Sequence, residues 1–244
     1  MHALLPNELL EVWEQGASLS AAERALLLLA AAYTELTPDK VAQFSIGRRD
    51  RDLLALREQT FGSQLDSIAA CPSCAARLEF RVNAADICST PPKEPDGALE
   101  VTHVDYSVQF RLPNSLDLAR LDPAVDPETN RQHLLQSCVI AARRARMEVA
   151  AAELPAEVGT AIAQRMAAAD PQADVQLALA CPQCRCAWKT PFDIVSYFWT
   201  EIDAWASRLL REVHALASAY GWREAEVLAL SPWRRQAYLE LIEP

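Results

Sequence analysis

The sequence contains few of the residues on which common catalytic and nucleotide-binding motifs depend. Its 244 residues include only six glycines and four histidines. With no glycine-rich loop, neither a P-loop nor a dinucleotide-binding fingerprint is present. The histidines (His2, His103, His133 and His214) lie in separate segments without metal or triad spacing. We therefore expect a protein that is not an enzyme.

Long apolar runs and a basic N-terminal segment are also missing. The longest apolar run, ALLLLAAAY at 25–33, is far shorter than the roughly 18 residues that a membrane span needs. The N-terminal segment MHALLPNELLEVWEQG carries acidic residues where a signal peptide would have basic ones. We expect no membrane span and a cytoplasmic protein.

Positive charge is in deficit. The chain has 23 Lys and Arg against 33 Asp and Glu, which gives a formal net charge of −10. Such a balance argues against a nucleic-acid backbone or an anionic membrane as the main partner, so we expect protein partners. Arg234 and Arg235, in an end that resembles a helix-turn-helix, are the one feature that suggests DNA, and the acidic balance makes this the minor interpretation.

Apolar residues are plentiful, at 51% of the chain, and many of them have helical spacing. Ser20 and Glu23 form a capping box that predicts a helix from Ala21 to about Tyr33. Further helices are predicted at 48–62, from Asp126 through NRQHLLQSCVIAARRAR, and from Glu157 to about Ala168. An apolar stripe then predicts one long helix that ends at Gly221, followed by two short ones; its members are Phe198, Ile202, Trp205, Leu209, Val213, Leu216 and Tyr220.

Other segments alternate in the manner of strands. ARLEFRV follows the first cysteine pair, and ALEVTHV and YSVQFRLP follow a proline-rich connector, STPPKEPDG, at 89–97. Val175, Leu177 and Leu179 alternate directly before Cys181. The combination predicts an α+β fold that is predominantly helical.

Seven cysteines are present, and four of them form two copies of one motif. Cys71 and Cys74 lie in ACPSC, and Cys181 and Cys184 lie in ACPQC. In a Cys-Pro-x-Cys turn both sulfurs can point to the same side, so one pair supplies two metal ligands and two pairs supply the four of a closed zinc site. We therefore predict one structural zinc ion per chain, bound by these four cysteines.

The two motifs also belong to a weak internal repeat. Bulky residues follow the second cysteine of each pair at four and at eight positions, and an Asp-Ile dipeptide closes each copy. These matched positions are Leu78 with Trp188, Val82 with Phe192, and Asp86-Ile87 with Asp193-Ile194. Because 106 residues separate Cys74 from Cys181, the predicted site is discontinuous, with residues 88–175 as an insertion.

The cysteine motifs are also compatible with roles that need no zinc. Cys-Pro-x-Cys is the active-site pattern of glutaredoxin-like thiol-disulfide oxidoreductases, although these need the first cysteine at a helix N-terminus. The thiols could equally be reduced and unliganded, or remnants of a lost metal site, since Ala75 and Arg185 replace the glycine usual after a knuckle. Cys186 is interpreted as a bystander, and Cys88 and Cys138 as small core residues.

The predicted architecture is a discontinuous zinc-ribbon-like knuckle pair with small β elements, flanked by helical segments at both ends. The expected division is an N-terminal helical region at 1–64, a knuckle region at 65–195, and a C-terminal helical segment at 196–244.

Four stretches resemble the baseplate hub and assembly proteins of T-even-type contractile phages and of phage-tail-like contractile injection systems. They are IGRRDRDLLALREQTFG leading into CPSC, VQFRLPNSLDLARL, DPQADVQLALACPQC with FDI, and REVHALASAYGWREAEVLALSPWRRQAYLELI. The last is the most specific, and residues 1–45 contribute nothing. The resemblance implies a non-enzymatic baseplate component or assembly factor that can be incorporated into a phage-tail-like particle.

The C-terminal helices are the candidate docking surface for other baseplate or hub proteins. Trp199 and Trp205 lie near the start of the long helix, and Trp222 and Trp233 lie beyond it. Large amphipathic side chains of this kind suit subunit contacts, although about half of them are expected to close the protein's own core. The functions from other classes are a thiol-disulfide oxidoreductase and a zinc-ribbon adaptor that binds nucleic acid.

Overall fold

Helices make up most of the computed structural model, which describes residues 1–88, 97–122 and 124–242. The helices are α1 (Pro6–Gly16), α2 (Ala21–Ala32), α3 (Pro38–Ala42), α4 (Ile46–Phe61), α5 (Ala84–Ile87), α6 (Ser115–Leu118), α7 (Pro127–Cys138), α8 (Ala156–Ala169), α9 (Ile194–Tyr220), α10 (Glu224–Leu228) and α11 (Pro232–Ile242). The strands are β1 (Gln64–Ala70), β2 (Arg77–Asn83), β3 (Leu99–His103), β4 (Tyr106–Phe110), β5 (Val139–Arg144), β6 (Met147–Glu148), β7 (Gln176–Ala180) and β8 (Ala187–Pro191). The fold is α+β and predominantly helical, as the sequence predicts. Of the predicted connector at 89–97, residues 89–96 lie outside the described part.

Local sequence signals set the helix ends at the N-terminal side. The Ser20 hydroxyl accepts a hydrogen bond from the Glu23 N–H, and the Glu23 carboxylate accepts one from the Ser20 N–H at 2.8 Å. This capping box starts α2 where the sequence predicts it. Helix α4 ends at Gly62, whose φ of 91° is readily adopted only by glycine.

The largest core lies between the N-terminal helices and the first half of α9. Leu28 and Leu29 of α2, Leu53 of α4, and Phe198 and Ile202 of α9 are all fully buried there. Residues from both ends of the chain therefore share one core, which brings the start of α9 against α1, α2 and α4.

Two antiparallel hairpins flank the cysteine motifs. Strand β1 pairs with β2, and β7 pairs with β8. The strands β2 and β7 are predicted from their alternation, whereas β1, with the pattern QLDSIAA, is not. Each hairpin holds one Cys-Pro-x-Cys motif at its turn, because Ala70 pairs with Arg77 and Ala180 pairs with Ala187.

A separate four-stranded sheet, in the order β3-β4-β5-β6, lies between the two hairpins in the chain. Val108 and Phe110 of β4 pack against Val158 and Ile162 of α8, and all four are at most 1% exposed. This second apolar core is built from residues between Leu99 and Ala169.

The sheet corrects one predicted helix. The helix expected to run from Asp126 through residue 146 ends at Cys138, and Val139–Arg144 form β5 between β4 and β6. β-branched Val139 and Ile140 favour a strand, and a strand at this place supplies backbone partners to β4. Arg143 and Arg144, which the sequence places on this helix, therefore lie on a strand, where Arg144 pairs with Asp105 at 2.7 Å.

Helix α9 follows the predicted stripe. Asp193 caps its start, Gly221 ends it with a φ of 71°, and five of the seven predicted stripe residues are buried. Its second half packs against α10 and α11 around Val213, Leu216 and Val227. No helix in the described part of the chain is both long enough and apolar enough to cross a membrane.

The tryptophans divide between core and surface. Trp199 is buried in the main core, and Gly16 makes room for it, since a Cβ on Gly16 would lie 2.2 Å from the indole. Trp205 and Trp222 are half-buried, whereas Trp233 on α11 is 79% exposed. One large aromatic side chain of the C-terminal helices thus projects into solvent.

Candidate metal centre

The four predicted cysteines come together at the hairpin tips. Their sulfur atoms all lie within 4.8 Å of one another, with 3.6 Å between the Sγ atoms of Cys71 and Cys184 and 3.6 Å between those of Cys74 and Cys181. Four sulfurs at about 2.3 Å from one tetrahedral ion would be about 3.8 Å apart. A disulfide would need about 2.05 Å, so the four side chains are free thiols with the spacing of a metal site.

Both motifs form the same backbone turn. The Cys71 N–H donates to the Ala76 carbonyl at 2.9 Å, and the Ala75 N–H donates to the Cys71 carbonyl at 2.9 Å. In the second motif the Cys181 N–H donates to the Cys186 carbonyl at 2.8 Å, and the Arg185 N–H donates to the Cys181 carbonyl at 3.0 Å. The internal repeat is therefore a repeat of structure.

The residue after each second cysteine has a left-handed backbone. Ala75 has a φ of 57° and Arg185 a φ of 60°. Glycine adopts this conformation without the steric cost that a Cβ brings, which is the reason that a knuckle usually has glycine there. Both turns are formed here without it.

The repeat ends at a different place from the one the sequence suggests. Strand pairing aligns Leu65 and Val82 of the first hairpin with Val175 and Phe192 of the second. The residue that follows is Asn83 in one copy and Asp193 in the other, and each caps the next helix. The match of Asp86-Ile87 with Asp193-Ile194 is therefore wrong, because the helix caps and not the Asp-Ile dipeptides are equivalent.

Two of the thiols, those of Cys71 and Cys181, have lowered pKa values. Burial opposes ionisation of Cys71, but the N–H groups of Cys74 and Ser73 and the neighbouring thiols outweigh it and lower its pKa to about 6. The N–H of Cys184 is the main cause of the lowered pKa of Cys181. Each motif thus directs backbone donors at its first sulfur, which suits a thiolate that ligates a cation.

Cys74 favours the protonated form. The Ala76 N–H supports its thiolate, but the thiols of Cys184, Cys181 and Cys71 together with burial raise its pKa to about 12. A cation at the centre of the four sulfurs would instead stabilise Cys74 and its neighbours as thiolates.

The cluster is covered on one side only. Cys71 and Cys181 are buried beside Leu78 and the half-buried Trp188, whereas Cys74 and Cys184 are exposed. Within the described residues, no other group of three or more His, Cys, Asp or Glu side chains has this arrangement.

The remaining three cysteines are not members of the four-sulfur cluster. Cys186 is half-buried next to them, and burial is the main cause of its raised pKa. Cys138 is fully buried, as predicted for a core residue. Cys88 is exposed, so its assignment to the core is wrong; it follows α5, where the chain leaves the core.

An ion pair that the sequence does not reveal also joins α4 to α9, between a buried arginine and a half-buried glutamate. Arg57 of α4, 2% exposed, donates to both carboxylate oxygens of Glu201 in α9, at 2.7 and 2.6 Å, and to the Gly62 carbonyl at 2.6 Å. The Tyr197 hydroxyl of α9 donates to the Asp66 carbonyl in β1 at 2.9 Å. The first hairpin is therefore attached to the helix that follows the second.

The protein is thus a predominantly helical α+β protein with a discontinuous cysteine knuckle. Two hairpins, separated by more than a hundred residues of the chain, each contribute two cysteines to it. The chain belongs to the T4 bacteriophage base plate protein family, whose model matches residues 7–199. No curated protein and no solved structure matches the chain.

The residues that the family model matches are not the same as the stretches that resemble baseplate proteins, and they differ at both ends. Most of residues 1–45 lie inside the matched range, although the resembling stretches begin only at residue 46. The stretch that the resemblance makes most specific, from Arg211 onward, lies beyond residue 199 and so outside the match.

Proposed function

We propose that the chain is a non-enzymatic structural or assembly component of the baseplate of a contractile phage tail or phage-tail-like injection system. One zinc ion, bound by Cys71, Cys74, Cys181 and Cys184, would join its two hairpins. The observation that carries the proposal is a cluster of four thiols within 4.8 Å in a chain of the T4 base plate family. Four thiolates in a closed set are the ligands of structural zinc and leave no open position for catalysis.

The hairpin context favours a metal over thiol-disulfide exchange. A redox Cys-Pro-x-Cys lowers the pKa of its first cysteine at a helix N-terminus, whereas here each motif connects two strands. The two sulfur–sulfur contacts of 3.6 Å also join different motifs: Cys71 with Cys184, and Cys74 with Cys181. A dithiol reductase assay on the purified protein tests this alternative, and turnover that Cys71→Ser abolishes would support it.

A zinc-ribbon adaptor for nucleic acid is the less supported alternative. Arg235 is 4% exposed and pairs with Glu212 at 3.0 Å, so it is not free to contact a phosphate backbone. Retention on DNA that weakens with rising salt would favour this alternative, and passage through a DNA column at low salt would count against it.

Zinc content is the direct test. We expect one zinc per chain in protein purified without added metal and none in Cys181→Ser. The matched controls are Cys186→Ser, which removes the neighbouring thiol, and Cys88→Ser, which removes an exposed one; both should keep the zinc. Absence of metal from the wild-type protein with four free thiols at these positions would remove the zinc from the proposal.

Partnership is tested in the native host. We expect a tagged chain to co-purify with other baseplate or hub chains, and the C-terminal helices are the proposed docking surface because Trp233 is so exposed. A Trp233→Ser variant should recover less of these chains than a Val104→Ser variant, which changes another exposed apolar residue. Absence of every baseplate chain from the wild-type pull-down would contradict the assembly role.

A further inference from the structure

The outer edge of β1 has backbone groups that its hairpin does not use. The Ala84 N–H donates to the Ser63 carbonyl, and the Cys71 N–H donates to the Ala76 carbonyl. These two bonds fix the register, so that every second residue from Ser63 to Cys71 bonds to β2. In this register the N–H and C=O groups of Asp66, Ile68 and Ala70 point away from β2. The Asp66 carbonyl points away from β2, because it accepts a hydrogen bond from the Tyr197 hydroxyl.

Beyond Asp66 this edge opens on a groove. The groove lies between β1, β8 and the start of α9, and its lining includes Ile68, Trp188, Phe192 and Tyr197. Ile68 is 61% exposed, and no hydrogen bond to its N–H or C=O is found within the described residues. An exposed apolar residue beside unpaired strand groups is the arrangement to which a further strand adds.

The outer edge of β2, which pairs with β1, and that of β8, which pairs with β7, are protected against such an addition. On β2 the residues whose backbone groups point outward are Arg77, Glu79, Arg81 and Asn83, and the first three are charged. On β8 they include Lys189 and Pro191, and a proline has no N–H to offer. Charge and proline are the usual devices that prevent strand addition, and the exposed stretch of β1 at Ile68 and Ala70 has neither.

The charges of the groove indicate the character of the added strand. Every ionisable acid or base on the described lining, apart from Tyr197, is a carboxylate: Asp66, Asp193 and Glu201. Arg81 and Arg57 pair with two of them but do not line the groove. An occupant with lysine or arginine next to its apolar residues would complement this lining.

We propose that an extended, basic segment of another baseplate chain adds as a strand to the edge of β1 at Ile68 and Ala70. Four backbone hydrogen bonds, from the N–H and C=O groups of these two residues, define the contact. The inference rests on the proposed function for the identity of the partner, and on the strand edge for the place and manner of binding.

Amide hydrogen exchange in the free chain and in its purified baseplate complex tests the inference. We expect the Ile68 and Ala70 amides to exchange quickly in the free chain and at least about tenfold more slowly in the complex. The amides of Glu79 and Arg81, on the outer edge of β2, should remain fast in both. Unchanged exchange at Ile68 and Ala70 would overturn the inference.

A matched pair of proline variants provides the second test. Ile68→Pro removes an N–H that β2 does not use, and Glu79→Pro removes the equivalent N–H on the directly opposite residue. Both should keep the wild-type unfolding temperature, but only Ile68→Pro should reduce recovery with baseplate chains, by about tenfold. Equal recovery of the two variants would overturn the inference, whereas failure of the wild-type chain to co-purify would instead contradict the proposed function.

Discussion

At the scale of single residues, the left-handed positions of the two knuckles depart from an optimal sequence. Ala75 and Arg185 hold φ values near 60° with a Cβ present. The left-handed conformation costs a non-glycine residue about 1–2 kcal/mol, which exceeds the entropic cost of glycine at about 0.5–1 kcal/mol. The sequence pattern identifies both positions, but only the backbone angles show that the turn is kept.

We predict that Arg185→Gly stabilises the protein. Relief of the strained angle should raise the free energy of unfolding by about 0.5–1 kcal/mol in urea titrations. The control is Gln183→Gly, two residues earlier in the same turn, where φ is not positive and glycine should destabilise. Equal effects of the two substitutions would show that the angle at Arg185 carries no strain.

A second residue-scale prediction concerns pH. Asp117 is 1% exposed and accepts from Arg111 at 2.5 and 2.8 Å and from the Asn114 N–H at 2.9 Å. Burial alone would raise the pKa of Asp117, but these donors outweigh it and lower the pKa below its ordinary value. The Asp117 carboxylate therefore binds a proton less readily in the folded state than in the unfolded state. The ionised carboxylate stabilises the fold above about pH 4, and this stabilisation is lost as the pH falls below that value.

Asp117→Asn should remove this contribution. We expect a loss of about 1–2 kcal/mol in the free energy of unfolding at pH 7, because the charged hydrogen bonds from the partly exposed Arg111 are weakened, and a shallower decline of stability below pH 4. Urea unfolding at pH 7 and at pH 3 measures both. An unchanged pH profile in the variant would mean that other carboxylates cause the acid sensitivity.

At the scale of elements, capping and periodicity predict most of the helices, whereas pairing decides the strands. Ser20 with Glu23 and the stripe along α9 act within one element, so the sequence alone shows them. At β5 the sequence predicts a helix, because pairing with β4 and not the local pattern sets the conformation there. Strand β1 is not predicted for the same reason, since its partner β2 lies beyond the knuckle.

The ion pair between α4 and α9 gives a prediction at this scale. Arg57→Met leaves the half-buried Glu201 without its two charged hydrogen bonds and should lower the free energy of unfolding by about 1–3 kcal/mol. The double variant Arg57→Met with Glu201→Met should lose less than the sum of the two single changes. Arg208→Met, on the exposed face of α9, is the control and should be nearly neutral. Additive losses would contradict a direct coupling of the two helices.

At the scale of the whole molecule, the meeting of the cysteine pairs is predictable but the attachments around them are not. Four cysteines in two identical motifs can complete one site only together, so chemistry alone predicts their contact. The contacts of Arg57 with Glu201 and of Tyr197 with the Asp66 carbonyl join residues far apart in the chain, and no sequence motif marks them. The division into regions 1–64, 65–195 and 196–244 stays a prediction.

Removal of the metal should therefore act on the hairpins first. The proposed ion joins Cys74 to Cys181 across a long loop, and metal binding of this kind contributes to folding. A zinc chelator should lower the unfolding temperature by about 10 °C, which corresponds to a few kcal/mol in a chain of this size. Added zinc should restore it, and the Cys186→Ser control should behave like the wild type.

Hydrogen exchange shows where the loss falls. The amides that bond between β1 and β2 and between β7 and β8 should lose protection on chelation. The amide of Val108 in β4 and those of α2 should keep it, because neither of their cores contains the four cysteines. The ion pair of Arg57 and the hydrogen bond of Tyr197 do not depend on the sulfurs, so the main core should hold α9 in place without the metal. Loss of protection throughout the chain would instead mean that the cysteine cluster is needed for the whole fold, and no change at the hairpins would mean that these contacts suffice without it.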